Sequence, residues 1–168
     1  KYIKQTGGRG QYGHVKVRVK PLEPIDSEKK TPKNIKREEG FEFINNVKGG
    51  IIPQEYIPAC EKGFKEGLDR GILAGFKMVN VSVELYDGSY HEVDSSEMAF
   101  RICAMAAMRT AYKEAQPTAL EPLMKLETSA PEEFQGNVMG QINQRRGMIS
   151  GTTTNEGYVT VEAEVPLT

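Results

Sequence analysis

Alternating apolar and polar residues predict three β-strands, at 14–20, 41–47 and 78–86. In the first strand, valines face one side and basic residues face the other. The inward side chains of the third strand are expected to be Val79, Val81, Val83 and Leu85. Asp87-Gly88 then predicts a turn, after which 90–93 is expected to pair back on the third strand.

Apolar residues spaced three and four positions apart predict two helices in the same part of the chain. The first covers 57–70, where Gly63 and Gly67 are expected to let the helix pack closely on a sheet. Asp94 is expected to cap the second helix, with Glu97 completing a capping box. The apolar face of this second helix is expected to consist of Met98, Ile102, Met105 and Ala106.

A proline-bearing linker at 116–122 separates a smaller second unit. Its strands are expected at 123–128, 148–154 and 158–165. Its helix is expected to begin with Pro131-Glu132-Glu133 and to place Phe134, Val138 and Ile142 on one face. This β-α-β-β order is most of a split β-α-β fold without its second helix and last strand. We therefore expect an α+β chain with domains at 1–120 and 121–168.

Residues 25–40 carry charges of both signs, a proline and almost no apolar side chain. Burial cannot offset the entropy of ordering such a segment. We therefore expect a mobile insertion between the first and second strands.

Composition limits the classes of function. The 168 residues carry 22 basic and 23 acidic side chains, so any nucleic-acid contact must come from a local patch and not from a globally basic protein. Cys60 and Cys103 lie in apolar helical stripes and are expected to be buried, reduced thiols. No run approaches the roughly 18 apolar residues of a membrane span, and no signal peptide is recognised, as expected for a piece of a longer cytoplasmic protein.

Gly8, Gly10 and Gly13 have the spacing of a dinucleotide-binding loop. That loop functions between a strand and a helix, whereas this one leads into a strand, so we reject the phosphate-binding interpretation. We interpret 7–14 as a flexible, cationic loop at the end of a sheet, with a shape suited to contacting RNA.

Side chains that bind RNA occur near this loop and in a second one. Arg9 offers a planar set of donors, Gln11 offers a donor and an acceptor, and Tyr12 offers a stacking surface. Tyr90 and His91 supply similar groups from the second loop. If both loops occupy one end of the sheet, they form a single RNA-binding tip, although such loops also arise without a ligand.

Metal binding and catalysis are less well supported. Two histidines and two carboxylates, namely His14, His91, Glu92 and Asp94, lack the spacing of a metal site. Ser89 near His91 is the only candidate nucleophile, and such pairs occur often by chance. We therefore expect no metal, no cofactor and no enzymatic activity in this chain, and a small hydrolase using His91 and Asp94 is the alternative from a different class.

Seven motifs, in order along the chain, resemble bacterial elongation factor G, a family of translational GTPases. They lie at 7–14, 43–45, 48–53, 55–59, 88–97, 120–125 and 145–148. The resemblance covers the fourth domain of that family and the first part of its fifth. It implies an α/β sandwich like domain 2 of ribosomal protein S5, followed by an incomplete ferredoxin-like unit. The 25–40 insertion is longer than the family pattern suggests.

The resemblance also implies a function. The family couples GTP hydrolysis to translocation of tRNA and mRNA, and its fourth domain enters the decoding region of the small ribosomal subunit. The residues expected to contact the codon–anticodon duplex are Arg9, Gln11, Tyr12, His14, Tyr90 and His91. GTP and magnesium would bind a domain outside this chain. The alternative within the family is a paralogue for ribosome recycling or ribosome protection.

In the second unit, Gln144, Arg145 and Arg146 close the predicted helix. From the residues alone, the arginines either complement the helix dipole or face RNA phosphates, and the two interpretations are about equal. The resemblance implies that they contact large-subunit ribosomal RNA near the stalk base. It also implies a monomer in the cytoplasm, with the ribosome, tRNA and mRNA as partners and no membrane contact.

Overall fold

A computed structural model gives the fold of residues 1–5, 7–24 and 32–167. Its internal contacts divide the chain into unit 1, residues 1–118, and unit 2, residues 119–168. The elements of unit 1, in chain order, are strands β1 (Tyr2–Lys4), β2 (Gln11–Pro21), β3 (Ile35–Glu38) and β4 (Phe41–Asn45), helix α1 (Ile57–Leu68), strand β5 (Val81–Ser89) and helix α2 (Glu97–Glu114).

The five strands of unit 1 form one sheet in the order β1-β2-β5-β4-β3. β4 and β5 run parallel, and the other neighbours run antiparallel. Strand alternation turns apolar side chains towards α1 and α2, and polar side chains away from them. The largest fully buried side chains of this core are Phe43, Ile52, Phe64, Leu85, Phe100, Met108 and Tyr112.

The predicted mobile insertion is partly wrong. Residues 25–31 lie outside the described residues, but 35–38 form β3, which pairs antiparallel with β4. Extended backbone hydrogen bonds at the sheet edge order this charged segment without apolar burial. Ion pairs add to this order, since Lys36 contacts Glu61 of α1 at 2.7 Å and Glu38 contacts Lys65 at 2.7 Å.

The third predicted strand is displaced along the sequence. Val79, expected inward, is 47% exposed, because β5 begins only at Val81. The predicted turn at Asp87-Gly88 is wrong, since β5 continues to Ser89 and pairs with β2 throughout. An irregularity in the ladder opposite Lys16 and Val17 accommodates this extension. Residues 90–93 therefore do not pair back, and the chain makes a turn at 92–94 instead.

The two glycines of α1 lie against the other helix and not against the sheet, contrary to the prediction. A Cβ atom added at Gly63 would lie 2.2 Å from the carbonyl oxygen of Arg101 and 2.9 Å from the Ala104 Cβ. A Cβ atom at Gly67 would lie 2.8 Å from the Met108 Cβ. The missing side chains thus permit the close approach of α1 and α2.

The start of α2 also differs from the prediction. Ser96, and not Asp94, is its N-cap, because the Ser96 hydroxyl accepts the Ala99 N–H at 3.1 Å. The predicted apolar face is rotated, so that Met98 is 54% exposed. The buried face consists of Ala99, Phe100, Cys103, Ala104, Met108 and Tyr112.

The order of elements in unit 2 confirms the predicted β-α-β-β arrangement. Its elements are β6 (Leu123–Pro131), α3 (Gln135–Gln144), β7 (Met148–Asn155) and β8 (Tyr158–Pro166). The sheet has the antiparallel order β6-β8-β7, as in the first three strands of a ferredoxin-like fold. The helix begins later than predicted, after a 3-10 turn at Glu132–Phe134, and Phe134 is exposed. A small core remains, centred on Ile142, Val159, Val161 and Ala163.

The structure shows the environment of the two cysteines and the character of the helices. Cys60 and Cys103 are both buried and unpaired, as expected. Burial raises the pKa of the Cys60 thiol to about 12, so this thiol stays protonated at neutral pH. Within the described residues, no helix has both the length and the apolar composition that crossing a bilayer requires.

Candidate nucleic-acid interface

The sheet of unit 1 brings two loops to one of its ends. The glycine loop, residues 7–10, leads into β2, and the histidine loop, residues 90–95, leaves β5. Because β2 and β5 run antiparallel with His14 opposite Ser89, the start of one strand adjoins the end of the other. We call these two loops, together with residues 11–14, the tip.

Direct hydrogen bonds join the two loops. The Arg9 Nε donates to the Val93 carbonyl at 2.8 Å, and the Gly10 N–H donates to the Asp94 carboxylate at 3.0 Å. The Tyr12 N–H donates to the Asp94 carbonyl at 2.8 Å. Asp94, predicted as a helix cap, is therefore a brace between the loops. A Cβ atom at Gly10 would lie 3.0 Å from this carboxylate, so glycine fits the position closely.

Ser95 is the buried centre of this connection. Its side chain is 2% exposed, and its hydroxyl accepts the His91 N–H at 2.9 Å. The same hydroxyl donates to the Tyr12 carbonyl at 2.9 Å, while the Ser95 N–H donates to the His91 carbonyl at 3.0 Å. One small polar side chain thus fixes the backbone on both sides of the tip.

Ser89 contacts a different histidine from the one that its sequence position suggested. Its Oγ lies 2.9 Å from the His14 Nδ1 and 2.8 Å from the Tyr12 hydroxyl. The Ser89 hydroxyl is therefore shared between two side chains of β2 and is not paired with His91 as a nucleophile would be. The result is a polar cluster that orients Tyr12 and His14.

Partial burial lowers the pKa of His14, and the nearby cation of Lys1 adds to this effect. We expect the imidazole Hε1 resonance of His14 to titrate below its ordinary value of 6.5. Because the unfolded chain binds this proton more readily, the free energy of unfolding should fall as the pH decreases from about 6.5 towards the folded-state pKa. Proton NMR of the 168-residue chain measures the midpoint, and a His14→Gln variant assigns the resonance. A midpoint at or above 6.5 would contradict the prediction.

All six predicted tip residues lie at this end of the sheet. Arg9, Tyr90 and His91 are exposed, whereas Gln11, Tyr12 and His14 are half-buried. The Tyr12 and His91 rings lie 6.2 Å apart between centroids, with their planes tilted by 51°. The structure thus brings these side chains together, and their contact with RNA stays a prediction.

One residue that contacts a candidate site residue was missed from the sequence. The Tyr2 hydroxyl donates to the Gln11 Oε1 at 2.8 Å, across the pairing of β1 with β2. This bond fixes the Gln11 amide, so that its NH₂ group remains available as a donor. A strand of three residues carries no periodic pattern of its own, so nothing in the sequence pointed to Tyr2.

The four candidate metal ligands do not form a site. One carboxylate oxygen of Asp94 accepts the Gly10 N–H, and the other lies 3.8 Å from the His91 Nδ1. In the described part of the chain, no group of three or more His, Cys, Asp or Glu side chains is arranged to hold a metal ion.

The predicted RNA-contact residues of unit 2 lie at the C-terminal end of α3. Gln144, Arg145 and Arg146 are all exposed there. Arg146 has a positive φ of 61°, and its guanidinium donates to the Glu121 carboxylate at 2.8 Å. The helix ends where the Gly147 N–H donates to the Ile142 carbonyl at 2.9 Å. These side chains thus form a polar edge on unit 2.

Comparisons with known proteins decide the family. The family model described as elongation factor G, domain IV, matches residues 1–116, and the model of the elongation factor G C-terminus matches residues 118–168. The chain belongs to the elongation factor G family. The resemblance that the motifs indicated is thereby confirmed.

Individual members of the elongation factor G family agree with this assignment. The chain is 52% identical to elongation factor G of Petrotoga mobilis over 169 aligned residues, which cover 99% of the chain and 23% of that relative. A crystal structure of a Thermus thermophilus protein matches with a TM-score of 0.84 and 41% identity, again over 99% of this chain and 23% of the other. The chain thus spans about a quarter of the length of these relatives. The predicted α+β fold class is confirmed.

Proposed function

We propose that this chain is the ribosome-binding part of a translation elongation factor that promotes GTP-dependent translocation of tRNA and mRNA. In this proposal, the tip contacts the codon–anticodon duplex in the decoding region of the small subunit. The observation that carries the proposal is the braced pair of loops, which gathers Arg9, Gln11, Tyr12 and His91 at one end of the sheet. Membership in the elongation factor G family supports the ribosome as the partner.

The chemistry of the tip suits paired RNA of any sequence. An A-form duplex has a shallow minor groove that displays 2′-hydroxyl groups and base edges. Amide, imidazole and guanidinium donors at the tip match these acceptors, without a fixed preference for one base. A translocation factor must act on every codon, so recognition of duplex shape is the appropriate design.

The basic strand beside the tip is a poorer candidate for RNA contact. On the outer face of β2, Lys16 forms an ion pair with Asp87, and Arg18 pairs with Glu84 at 3.1 Å. The Arg18 guanidinium also lies 4.1 Å from the centre of the Tyr86 ring. Because Lys16 and Arg18 already interact with acidic or aromatic side chains, we assign the RNA contact to the tip and not to the outer face of β2.

For unit 2, we propose contact with large-subunit ribosomal RNA near the stalk base, through Gln144, Arg145 and Arg146. Their exposure at one helix end supports this proposal. GTP and magnesium would act in a part of the protein that these 168 residues do not include, and this chain would hold no cofactor. We propose a monomer that works in the cytoplasm, where ribosomes translate.

A double substitution tests the proposed function. In a full-length elongation factor G that contains this chain, we expect Gln11→Ala with His91→Ala to slow single-round translocation about tenfold, as expected for the loss of one or two hydrogen bonds. Ribosome-stimulated GTP hydrolysis should continue at the parental rate, because the tip is not part of a nucleotide site. Rapid-kinetic measurement of both steps provides the comparison.

The matched control is Thr110→Ala with Glu114→Ala, which truncates two exposed polar side chains of α2 far along the chain from both loops. We expect this control to translocate at the parental rate. Parental translocation by the tip variant would refute the proposal. An equal loss of translocation and GTP hydrolysis in the tip variant would refute the assignment of the tip to the translocation step, because it would indicate a general defect in ribosome binding.

A further inference from the structure

We propose that the histidine loop holds His91 as a neutral imidazole protonated on Nε2, so that it donates a hydrogen bond to an acceptor oxygen or nitrogen of paired RNA and does not bind phosphate as a cation. The inference deepens the proposed function and rests on it. It specifies the chemical group of the RNA that this side chain recognises.

The backbone of the loop determines which ring nitrogen carries the proton. The N–H groups of Val93 and Asp94 both donate to the His91 Nδ1, each at 3.2 Å. A proton on Nδ1 would face these two donors and would break both bonds. Neutral histidine has one donor and one acceptor nitrogen, so an accepting Nδ1 leaves the proton on Nε2.

The nearest acid does not reverse this assignment. The Asp94 Oδ2 lies 3.8 Å from the His91 Nδ1, which is beyond hydrogen-bond distance. The other oxygen, Oδ1, already accepts the Gly10 N–H at 3.0 Å. The Asp94 carboxylate therefore bonds to the glycine loop, and the N–H groups of Val93 and Asp94 lie closer to the His91 Nδ1 than this carboxylate does.

The second ring nitrogen is available to a ligand. The His91 side chain is 54% exposed, and no atom in residues 1–5, 7–24 and 32–167 accepts a hydrogen bond from its Nε2. Ser95 fixes the His91 backbone on both sides, through its hydroxyl and its N–H. The Tyr12 ring lies beside the imidazole. The donor is thus exposed but held in a defined position.

A neutral donor selects one class of RNA group. In the minor groove, every base pair offers acceptors, and the 2′-hydroxyl oxygen offers a further one on each nucleotide. A phosphate, in contrast, is bound best by a charged donor. His91 in this tautomer is therefore suited to the groove side of a duplex, where a single donor finds an acceptor whatever the codon.

The first experiment determines the tautomer without any RNA. Long-range ¹H–¹⁵N correlation spectra of the 168-residue chain at pH 7.5 distinguish a protonated ring nitrogen from a bare one. The His14→Gln variant leaves a single imidazole and so assigns the signals. We expect a protonated Nε2 and a bare Nδ1 for His91. A protonated Nδ1, or an imidazolium, would overturn the inference.

The second experiment separates the two ring nitrogens by substitution in the full-length factor. Asn in His91→Asn can place an amide oxygen where Nδ1 accepts, but it has no atom at the position of Nε2. Gln in His91→Gln reaches the Nε2 position with an amide N–H donor. We expect His91→Gln to translocate within about threefold of the parent, and His91→Asn to be roughly fivefold to tenfold slower, equivalent to one hydrogen bond. Translocation by His91→Asn at the rate of His91→Gln, or faster, would overturn the inference.

The two proposals fail in different ways. Parental translocation by the Gln11→Ala, His91→Ala variant would refute the proposed function, whatever the tautomer of His91. A slow double variant combined with the wrong tautomer, or with the reversed order of the Asn and Gln variants, would refute only the present inference. Thermal melting of both single variants provides the folding control, and because His91 lies in an exposed loop, we expect parental midpoints.

Discussion

We expect Gly63→Ala to lower the thermal midpoint of unit 1 by roughly 10 °C, which corresponds to about 2 kcal/mol. The added Cβ would lie 2.2 Å from the Arg101 carbonyl oxygen, and this atom belongs to the backbone of α2. No rotation of a flexible side chain can relieve such a contact, so the two helices must separate. The better helix propensity of alanine, worth about 1 kcal/mol, offsets only part of the cost.

Gly140→Ala is the matched control, because Gly140 lies within a helix and a Cβ there would meet no atom within 4 Å. The control should stabilise unit 2 slightly, by roughly 0.5–1 kcal/mol, through helix propensity alone. Circular dichroism melts of both variants, with NMR signals to separate the two units, provide the measurement. A Gly63→Ala midpoint at or above that of the parent would show that α1 and α2 are not packed as closely as described.

The second large effect is expected for Ser95→Ala. The hydroxyl that it removes accepts the His91 N–H and donates to the Tyr12 carbonyl, in a position that is nearly inaccessible to water. A buried backbone group left without a partner costs roughly 1–3 kcal/mol. We therefore expect unit 1 to lose about 2 kcal/mol of stability and the two loops of the tip to separate more often.

Ser96→Ala is the comparison variant for this experiment, because it removes the N-cap of α2 at a cost of about 1 kcal/mol but leaves the loops joined. The diagnostic signal is amide hydrogen exchange of the Tyr12 N–H, which is bonded to the Asp94 carbonyl across the two loops. We expect its exchange to accelerate about tenfold more in Ser95→Ala than in Ser96→Ala. Equal exchange rates would mean that Ser95 does not hold the loops together.

The sequence predicted the presence of the long strands and helices, although the buried face of α2 and the ends of β5 were wrong, and it missed the short strands β1 and β3. The valine alternation of β2 and the apolar stripe of α1 are visible without any tertiary information. β1 has three residues, and β3 lies within a charged segment, so neither has a pattern that differs from a loop. Both are ordered by hydrogen bonds to a longer neighbouring strand, and local sequence does not report such bonds.

The sequence named candidate residues that the structure places at one end of the sheet, but it missed the hydrogen bonds that join the two loops. Arg9, Gln11 and His91 were identified by residue type and family motif. The roles of Ser95 and Asp94 were not, because both look like residues that begin a helix. In the structure, Ser96 is the N-cap, which leaves Asp94 to bind Gly10 of the glycine loop and Ser95 to bind the Tyr12 carbonyl at the start of β2.

The sequence by itself determined the α+β class, the order of elements in unit 2, the family and the side chains with the chemistry to contact RNA. These properties are recorded in spacing over a few residues or in whole motifs, which can be recognised along the chain. Only the tertiary structure decided that Gly10 meets Asp94, that Ser89 pairs with His14 and that Gly63 faces a helix. Each of these contacts depends on strand register or on helix rotation between distant segments, and a shift of one residue would change every partner.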